Sequence, residues 1–206
     1  MSADVSAGGA RVVGIVLAAG AGRRYGGPKA LARDAAGRPW MVSVVETVRA
    51  AGVGRVLVVL GAEADRAADV VPEGVEVVIA GDWETGMAAS LRAGLDAIDP
   101  GSDVSPVGVA ADPADAALIV LVDQPALPRE VVALAVAAPV GTATLRRITY
   151  AGRPGHPVLI GRDHWPSLRA SLHGDTGAGP WLAKQQVEAI PGDRWWDGAD
   201  IDTPAR

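Results

Sequence analysis

Two short blocks of the 206-residue chain put charge beside unhindered backbone. From Leu17 to Lys29 runs Leu-Ala-Ala-Gly-Ala-Gly-Arg-Arg-Tyr-Gly-Gly-Pro-Lys, and Val122 is followed by Asp123-Gln124-Pro125. Glycines let consecutive backbone N–H groups point at phosphate oxygens, and Arg24 and Lys29 add positive charge there. Asp123 offers the hard carboxylate oxygen that a magnesium ion takes together with phosphate oxygens, although Asp-x-Pro is also a common turn after a strand. Such a set suits chemistry on a triphosphate. Attack at its α-phosphorus by another anion is repelled, so the site must neutralise charge, align the attacking oxygen and stabilise the departing pyrophosphate. An acceptor phosphate with a second pKa near ~6 is already ionised at neutral pH and needs no general base.

Two common phosphate motifs fail on spacing. A dinucleotide fingerprint needs G-x-G-x-x-G with an acidic residue about 20 positions on, whereas Gly20, Gly22 and Gly26 leave one residue too many and Glu63 lies far beyond. A P-loop needs Gly-Lys-Ser/Thr, and Gly27-Pro28-Lys29-Ala30 lacks both the adjacency and the hydroxyl. His164 and His173 have no metal-ligand spacing and read as surface or packing residues.

These residues need strands to deliver them. Val12–Leu17 is a short apolar run ending in small residues and glycine, as a buried parallel strand looks at a sheet edge. Arg55–Leu60, Val75–Ala80 and Ala116–Val122 read as further strands. Pro39–Ala51, Ala62–Val70, Gly86–Ile98 and Pro128–Ala138 read as the helices between them. This alternation predicts an α/β fold, a three-layer Rossmann-like domain with a mostly parallel central sheet. Ligands of such sheets sit beyond the carboxyl ends of the strands, so the residues after Leu17, Leu60, Ala80 and Val122 face the site. The second half is less regular. His156, between Gly155 and Pro157, reads as a loop residue. Four of the six tryptophans follow residue 160, filling a C-terminal lobe or offering a stacking platform.

Composition narrows the classes. With 26 glycines and 15 prolines the chain is rich in turns yet below low-complexity levels. It has no cysteine, which removes disulfide scaffolds, thiol nucleophiles and cysteine-ligated metals. A net charge of −5 argues against broad attraction to nucleic acid. Mean hydropathy is +0.22, but the longest uncharged run, Val131–Leu145, is interrupted by Pro139 and Gly141 and is too short to span a membrane. Val12–Leu17 is likewise too short for a secretion signal, so a cytoplasmic protein is expected. One domain over 1–206 is expected, with a disordered tail at 1–10 and a surface loop at 99–115.

The glycine block resembles the signature loop of nucleotidyltransferases of the NTP-transferase superfamily, which move a nucleoside monophosphate from a triphosphate onto an acceptor. Four more blocks follow in order: Gly86-Met87-Ala88-Ala89-Ser90-Leu91-Arg92-Ala93-Gly94-Leu95, Val122-Asp123-Gln124-Pro125, Gly152-Arg153-Pro154-Gly155-His156-Pro157-Val158, and Asp200-Ile201-Asp202-Thr203-Pro204. Together they resemble the MocA-like branch, the molybdenum cofactor cytidylyltransferases. The resemblance implies the nucleotide-diphospho-sugar transferase type of fold and transfer of CMP from CTP to a phosphate of a molybdopterin-type cofactor, with release of pyrophosphate. It assigns the nucleotide to Leu17, Ala18, Ala19, Gly20, Gly22, Arg24, Lys29, Gly86 and Ser90, with catalysis resting on Arg24, Lys29 and Asp123. It also implies Mg2+ on Asp123 and Asp202, the acceptor near His156, and a molybdoenzyme or its chaperone as recipient. Backbone N–H groups from Ala18 to Gly22 would meet the triphosphate, and Gly86 would let the chain pass close to the base. Ala19 points to CTP, because guanylyl-transferring relatives carry Ala-Gly-Gly.

The pattern is not followed everywhere. Tyr25 replaces a methionine, and Gly179 replaces an arginine expected to contact an anionic acceptor. Asp200 competes with Asp202 for the metal or caps a terminal helix, and Asp175 could cap the helix after it. Ser90 reads equally as a base contact or a helix serine. Another acceptor (a sugar or alditol phosphate), GTP as donor, and a non-catalytic nucleotide- or cofactor-binding accessory are the alternative readings.

Overall fold

The computed structural model describes residues 10–99 and 113–203. Four strands form where short apolar runs meet a turn: β1 (Val12–Leu17), β2 (Arg55–Leu60), β3 (Glu76–Ile79) and β4 (Ala116–Leu121). Between them lie α1 (Trp40–Ala50), α2 (Ala64–Ala68) and α3 (Met87–Ile98), and α4 (Arg129–Val136) follows β4. Each agrees with the sequence reading to within two residues at either end. Three further strands were not anticipated: β5 (Leu145–Tyr150), β6 (Arg153–Gly161) and β7 (Glu188–Pro191), with α5 (Trp165–Ser171) and α6 (Gly179–Leu182) before the last.

All seven strands join one sheet in the order β3-β2-β1-β4-β6-β5-β7. Pairing is parallel except at β6, which runs antiparallel to both β4 and β5. Apolar side chains of alternate parity serve two cores. Val16, Val58, Val120 and Leu159 pack with Met41, Val44 and Val131 on the α1/α4 side. Ile15, Leu57, Ile119 and Ile160 pack with Leu91, Leu95, Trp165 and Leu168 on the other. The central strands β1 and β4 are buried on both faces, which is why their sequences are almost continuously apolar.

Several sequence expectations are corrected. His156 lies in strand β6, although Arg-Pro-Gly-His-Pro resembles a loop; the register with β5 shifts between Arg147 and Thr149, and this irregularity accommodates the block. Asp200 caps no helix, because residues 197–203 carry no helical turn. Asp175 sits in the turn bridged by His173 and Thr176, and α6 has no side-chain cap. The expected tail and surface loop fall almost wholly outside the described residues. The end of that loop is nevertheless anchored: Ala114 is buried, and Arg162 N–H donates to the Asp115 carbonyl at 2.9 Å. Trp165 and Trp181 are core residues, whereas Trp195 is exposed. No helix among the described residues is long and apolar enough to cross a membrane.

Candidate active site

Strands β2 and β4 flank β1 on opposite sides, so the crevice beyond the carboxyl ends of β1 and β4 is the topological switch point of the sheet. The glycine loop leaves β1 there. Its far half is a tight turn in which the Gly22 carbonyl accepts hydrogen bonds from Tyr25, Gly26 and Gly27 at 2.9, 2.9 and 3.2 Å. Gly22 has φ +58°, and a Cβ at this position would run into the Gly27 carbonyl, so only glycine fits. The Ala18 N–H donates to the Val59 carbonyl at 2.9 Å, which removes it from the expected phosphate contacts. Among the described residues, the N–H groups of Ala19, Gly20, Ala21 and Gly22 donate no hydrogen bond to protein. These four are consecutive free donors directly after the strand.

Lys29 follows Pro28 and opens a single 3₁₀ turn, Lys29–Leu31, whose Ala30 is buried. The turn sends the Lys29 side chain back across the crevice. Its Nζ donates to Asp123 Oδ2 and to Asp202 Oδ1, each at 2.9 Å. Burial pulls the Lys29 pKa down, but hydrogen bonds to Asp202 and Asp123 outweigh it and hold the ammonium above its ordinary range. The hydrogen bond from Lys29 in turn lowers the Asp202 carboxyl. Arg24 is farther out, mostly exposed, with Nη1 3.8 Å from Asp202 Oδ2.

Asp123 is delivered by β4, where Val122 N–H still donates to the Leu17 carbonyl at 3.2 Å. The C-terminal segment docks on the same turn: Ile201 N–H donates to the Asp123 carbonyl at 2.9 Å. Buried Gln124 donates through Nε2 to Asp200 Oδ1 at 2.8 Å. Asp200 is therefore turned towards Gln124, while Asp202 shares Lys29 with Asp123. Burial raises the Asp200 carboxyl, against the Gln124 hydrogen bond and with the negative charges of Asp123 and Asp202 adding to it. Asp123 Oδ1 is buried with no hydrogen-bond partner.

A divalent cation fits this donor set. The two carboxylates already surround one positive centre, and the unpartnered Asp123 oxygen has a lone pair to give. No group of three or more His, Asp or Glu side chains suited to a metal occurs among the described residues. Two carboxylates with the remaining ligands left to phosphate oxygens and water is the usual arrangement for magnesium at a nucleotide.

At the near half of the loop, the Ala19 carbonyl accepts from Ala62 N–H at 2.9 Å, and Leu17, Ala18 and Ala19 are buried. Gly20 is exposed at the mouth. Gly86 has φ +121°, but what crowds it is the Gly174–Asp175 backbone, whose Gly174 carbonyl accepts from Ala88 N–H at 3.1 Å. Its glycine is thus explained by packing of the α3 start on the 172–177 turn. Ser90 is buried in the first turn of α3, and Met87 is exposed at its start.

His156 is half-buried on β6, its carbonyl accepting from Tyr150 Oη at 2.8 Å. Burial pushes its imidazole down to about 4, with Asp123 opposing the shift and Arg147 adding to it, so the ring is neutral at pH 7. Arg147 escaped the sequence reading, because a charged pair inside an unrecognised strand carries no motif. The structure brings Lys29, Asp123, Asp202 and Arg24 together at the glycine loop. His156 stands near Asp123 and Arg147, and Gly86 and Ser90 sit at the start of α3. A hollow lined by Arg11, Val13, Ala51, Val53, Arg55 and Val136 opens at the opposite, amino ends of the strands and holds none of these groups.

A mostly parallel sheet with a free-amide glycine loop, a bridging lysine and paired carboxylates at its switch point defines a nucleotide-handling α/β protein. The family profile of the MobA-like NTP transferase domain matches residues 14–189. The chain belongs to this family. It is 34% identical to nicotine blue oxidoreductase of Paenarthrobacter nicotinovorans, over 93% of this chain and 92% of that protein. The crystal structure of Rv0371c from Mycobacterium tuberculosis H37Rv superposes with a TM-score of 0.75 at 26% identity, covering 95% of each chain. A structure of Rv0371c in complex with manganese superposes with a TM-score of 0.66 at 24% identity, covering 89% of each chain.

Proposed function

We propose that this chain is a magnesium-dependent nucleotidyltransferase that moves CMP from CTP onto a phosphate of a molybdopterin-type cofactor and releases pyrophosphate. The observation that carries the reading is the Lys29 ammonium held between Asp123 and Asp202 at 2.9 Å from each, next to the free N–H groups of Ala19 to Gly22. Manganese in the Rv0371c complex supports a divalent ion in this fold. Asp123 and Asp202 would hold the metal, which would neutralise charge on the triphosphate and on the departing pyrophosphate.

The protein groups do the rest. Ala19 to Gly22 donate N–H bonds to the phosphates, and Lys29 passes from its carboxylates to the β- and γ-phosphates. Arg24, exposed at the rim, reaches the outgoing pyrophosphate. Leu17, Ala18 and Ala19 form the floor of the base site, with Gly86 fixing the α3 start and Ser90 behind it. His156, neutral, hydrogen-bonds the acceptor phosphate without competing for its negative charge. The attacking oxygen of that phosphate forms a bond to the α-phosphorus as the bond to the bridging oxygen breaks, and the electron pair leaves with pyrophosphate.

The test is magnesium-dependent pyrophosphate release from CTP in the presence of molybdopterin, with GTP, UTP and ATP alongside and Asp123→Asn as the control. Full turnover by Asp123→Asn overturns the metal assignment, and a preference for GTP overturns the base assignment. One finding favours a second reading: the 34% identical relative is a nicotine blue oxidoreductase, which raises hydride or electron transfer to a conjugated heterocycle. Reduced nicotinamide that shifts the melting temperature and is consumed, with CTP inert, selects that reading over transfer.

A further inference from the structure

Neighbouring arginines on β5 face opposite sides of the sheet and are treated differently. Arg146 is fully engaged, with Nε donating to Glu188 at 2.6 Å, Nη2 to the Pro139 carbonyl at 2.8 Å and Nη1 to the Ala137 carbonyl. Arg147 has none of this. Its Nε is buried without a hydrogen-bond partner, and among the described residues no carboxylate pairs with its guanidinium. An arginine cannot relieve such a position by losing its proton, so the buried Nε–H is a charged donor without an acceptor in the protein.

The surroundings say which anion. Arg147 stands opposite Val158 in the β5–β6 ladder, on the face where Leu145, Val158 and Ile160 meet Trp165 and Trp181, and His156 precedes Val158 by two residues. Arg147 and Asp123, the carboxylate at the end of β4, both stand close enough to act on the His156 ring, in opposite senses. Position 179, where the resemblance leads one to expect an arginine, is a glycine with open space around it.

We propose that Arg147, with His156, forms the site that binds the phosphate monoester of the acceptor. The assignment to the acceptor rests on the transferase reading; the anion site itself does not. A planar guanidinium presents paired N–H donors to two of the three terminal phosphate oxygens, and the neutral imidazole donates to one of these same two without adding charge. The remaining oxygen is then directed towards Asp123 and the triphosphate.

The probe is phenyl phosphate, followed through the imidazole resonances of the three histidines in the full-length protein. The expected result is a saturable shift of the His156 signals with His164 and His173 unmoved. Arg147→Gln should weaken this binding at least tenfold and Arg147→Lys by only a few-fold, both leaving Mg-CTP affinity within twofold. If phenyl phosphate leaves His156 unmoved in the wild-type protein, or if Arg147→Gln binds it as well as wild type, the proposal is overturned. An Arg147→Gln protein that does not fold leaves the wild-type titration and Arg147→Lys to decide the matter. CTP that fails to bind while phenyl phosphate still shifts His156 supports the anion site and overturns the transferase reading.

Discussion

Replacing Lys29 by methionine should strengthen binding of a divalent cation in the absence of nucleotide and weaken binding of the triphosphate. In the free protein the Lys29 ammonium occupies the point between Asp123 and Asp202 that a metal would take, 2.9 Å from an oxygen of each. The Lys29 and Asp123 side chains are 14% and 21% exposed, so their attraction is only partly screened, whereas Asp202 at 54% contributes less. Coulomb's law at an effective dielectric of about 20 gives about 6 kcal/mol for one such contact, before the cost of desolvating both ions. After that cost, about 1–3 kcal/mol remains for the cation to overcome. Methionine has nearly the same length and no charge, so a tenfold to hundredfold tighter Kd for Mn2+ is expected. Electron paramagnetic resonance of free Mn2+ measures it directly, and CTP titration in the presence of saturating metal reports the opposite trend. Metal affinity that is unchanged or weaker in Lys29→Met would refute the idea that the lysine and the metal compete for one position.

Three further outcomes follow from the geometry. His156 stays neutral in the folded protein down to about 4, while the unfolded chain protonates at its ordinary value near 6.5, so stability is full above 6.5, declines as the pH falls between these values and levels off below 4. His156→Gln should remove about 2–3 kcal/mol of that decline, read from urea melts at pH 7 and 4.5. Gly22→Ala forces a Cβ into the Gly27 carbonyl at φ +58°; it should abolish CTP binding while the circular dichroism stays that of the wild type, and intact binding would contradict the loop geometry. The Tyr150 ring is packed by Gly155, Gly192 and Gly198, so Tyr150→Leu should loosen the segment leading to Asp202 and weaken Mn2+ about tenfold, whereas Tyr150→Phe should cost only about 1 kcal/mol of stability for the lost bond to the His156 carbonyl.

Strands β1, β2 and β4 were legible because each is a run that an ordinary hydrophobic core demands, whereas β3, with Val77 and Ile79 exposed, was legible by its β-branched residues alone. Ala-Ala-Leu-Ile-Val-Leu has no reading other than a strand buried on both faces. Strand β5 carries Arg146 and Arg147 in mid-run, and β6 opens with Arg-Pro-Gly-His-Pro. Only the neighbours that pair with them make these segments strands. The same distinction governs the site. Lys29, Asp123 and Asp202 could be picked out by type, but 94 and 173 residues separate Lys29 from its two partners, so the sequence could not say that the lysine bridges them. Backbone donors were harder still. Nothing in Leu-Ala-Ala-Gly indicates that the Ala18 N–H is spent on Val59 while those of the next four residues are free, since that depends on the β1–β2 register. That Gly86 accommodates the backbone of Gly174 was hidden for the same reason, since the two lie far apart in the chain.

The reversal of β6 gives the sheet a division of labour. On one side of β4 lie β1, β2 and β3, all parallel, and their carboxyl ends supply the glycine loop and the turns beside it. On the other side, the antiparallel β6 begins at this same end of the sheet and therefore brings His156 up beside Asp123, with Arg147 on its neighbour β5. A parallel strand in that place would carry its opening residues to the far edge, some 20 Å away at about 3.3 Å per residue. Two oppositely running neighbours thus place the glycine loop and the His156–Arg147 pair on either hand of one carboxylate. The remaining gap is closed by the last described residues: Ile201 bonds to the Asp123 backbone, and Asp202 faces it across Lys29. Asp202 is consequently held in place by a few side-chain and backbone bonds that its segment makes to Gln124, Asp123 and Lys29 instead of by a strand. Cleavage or truncation after residue 198 should leave the sheet folded and remove metal-dependent activity, a separation that a role confined to stability would not produce.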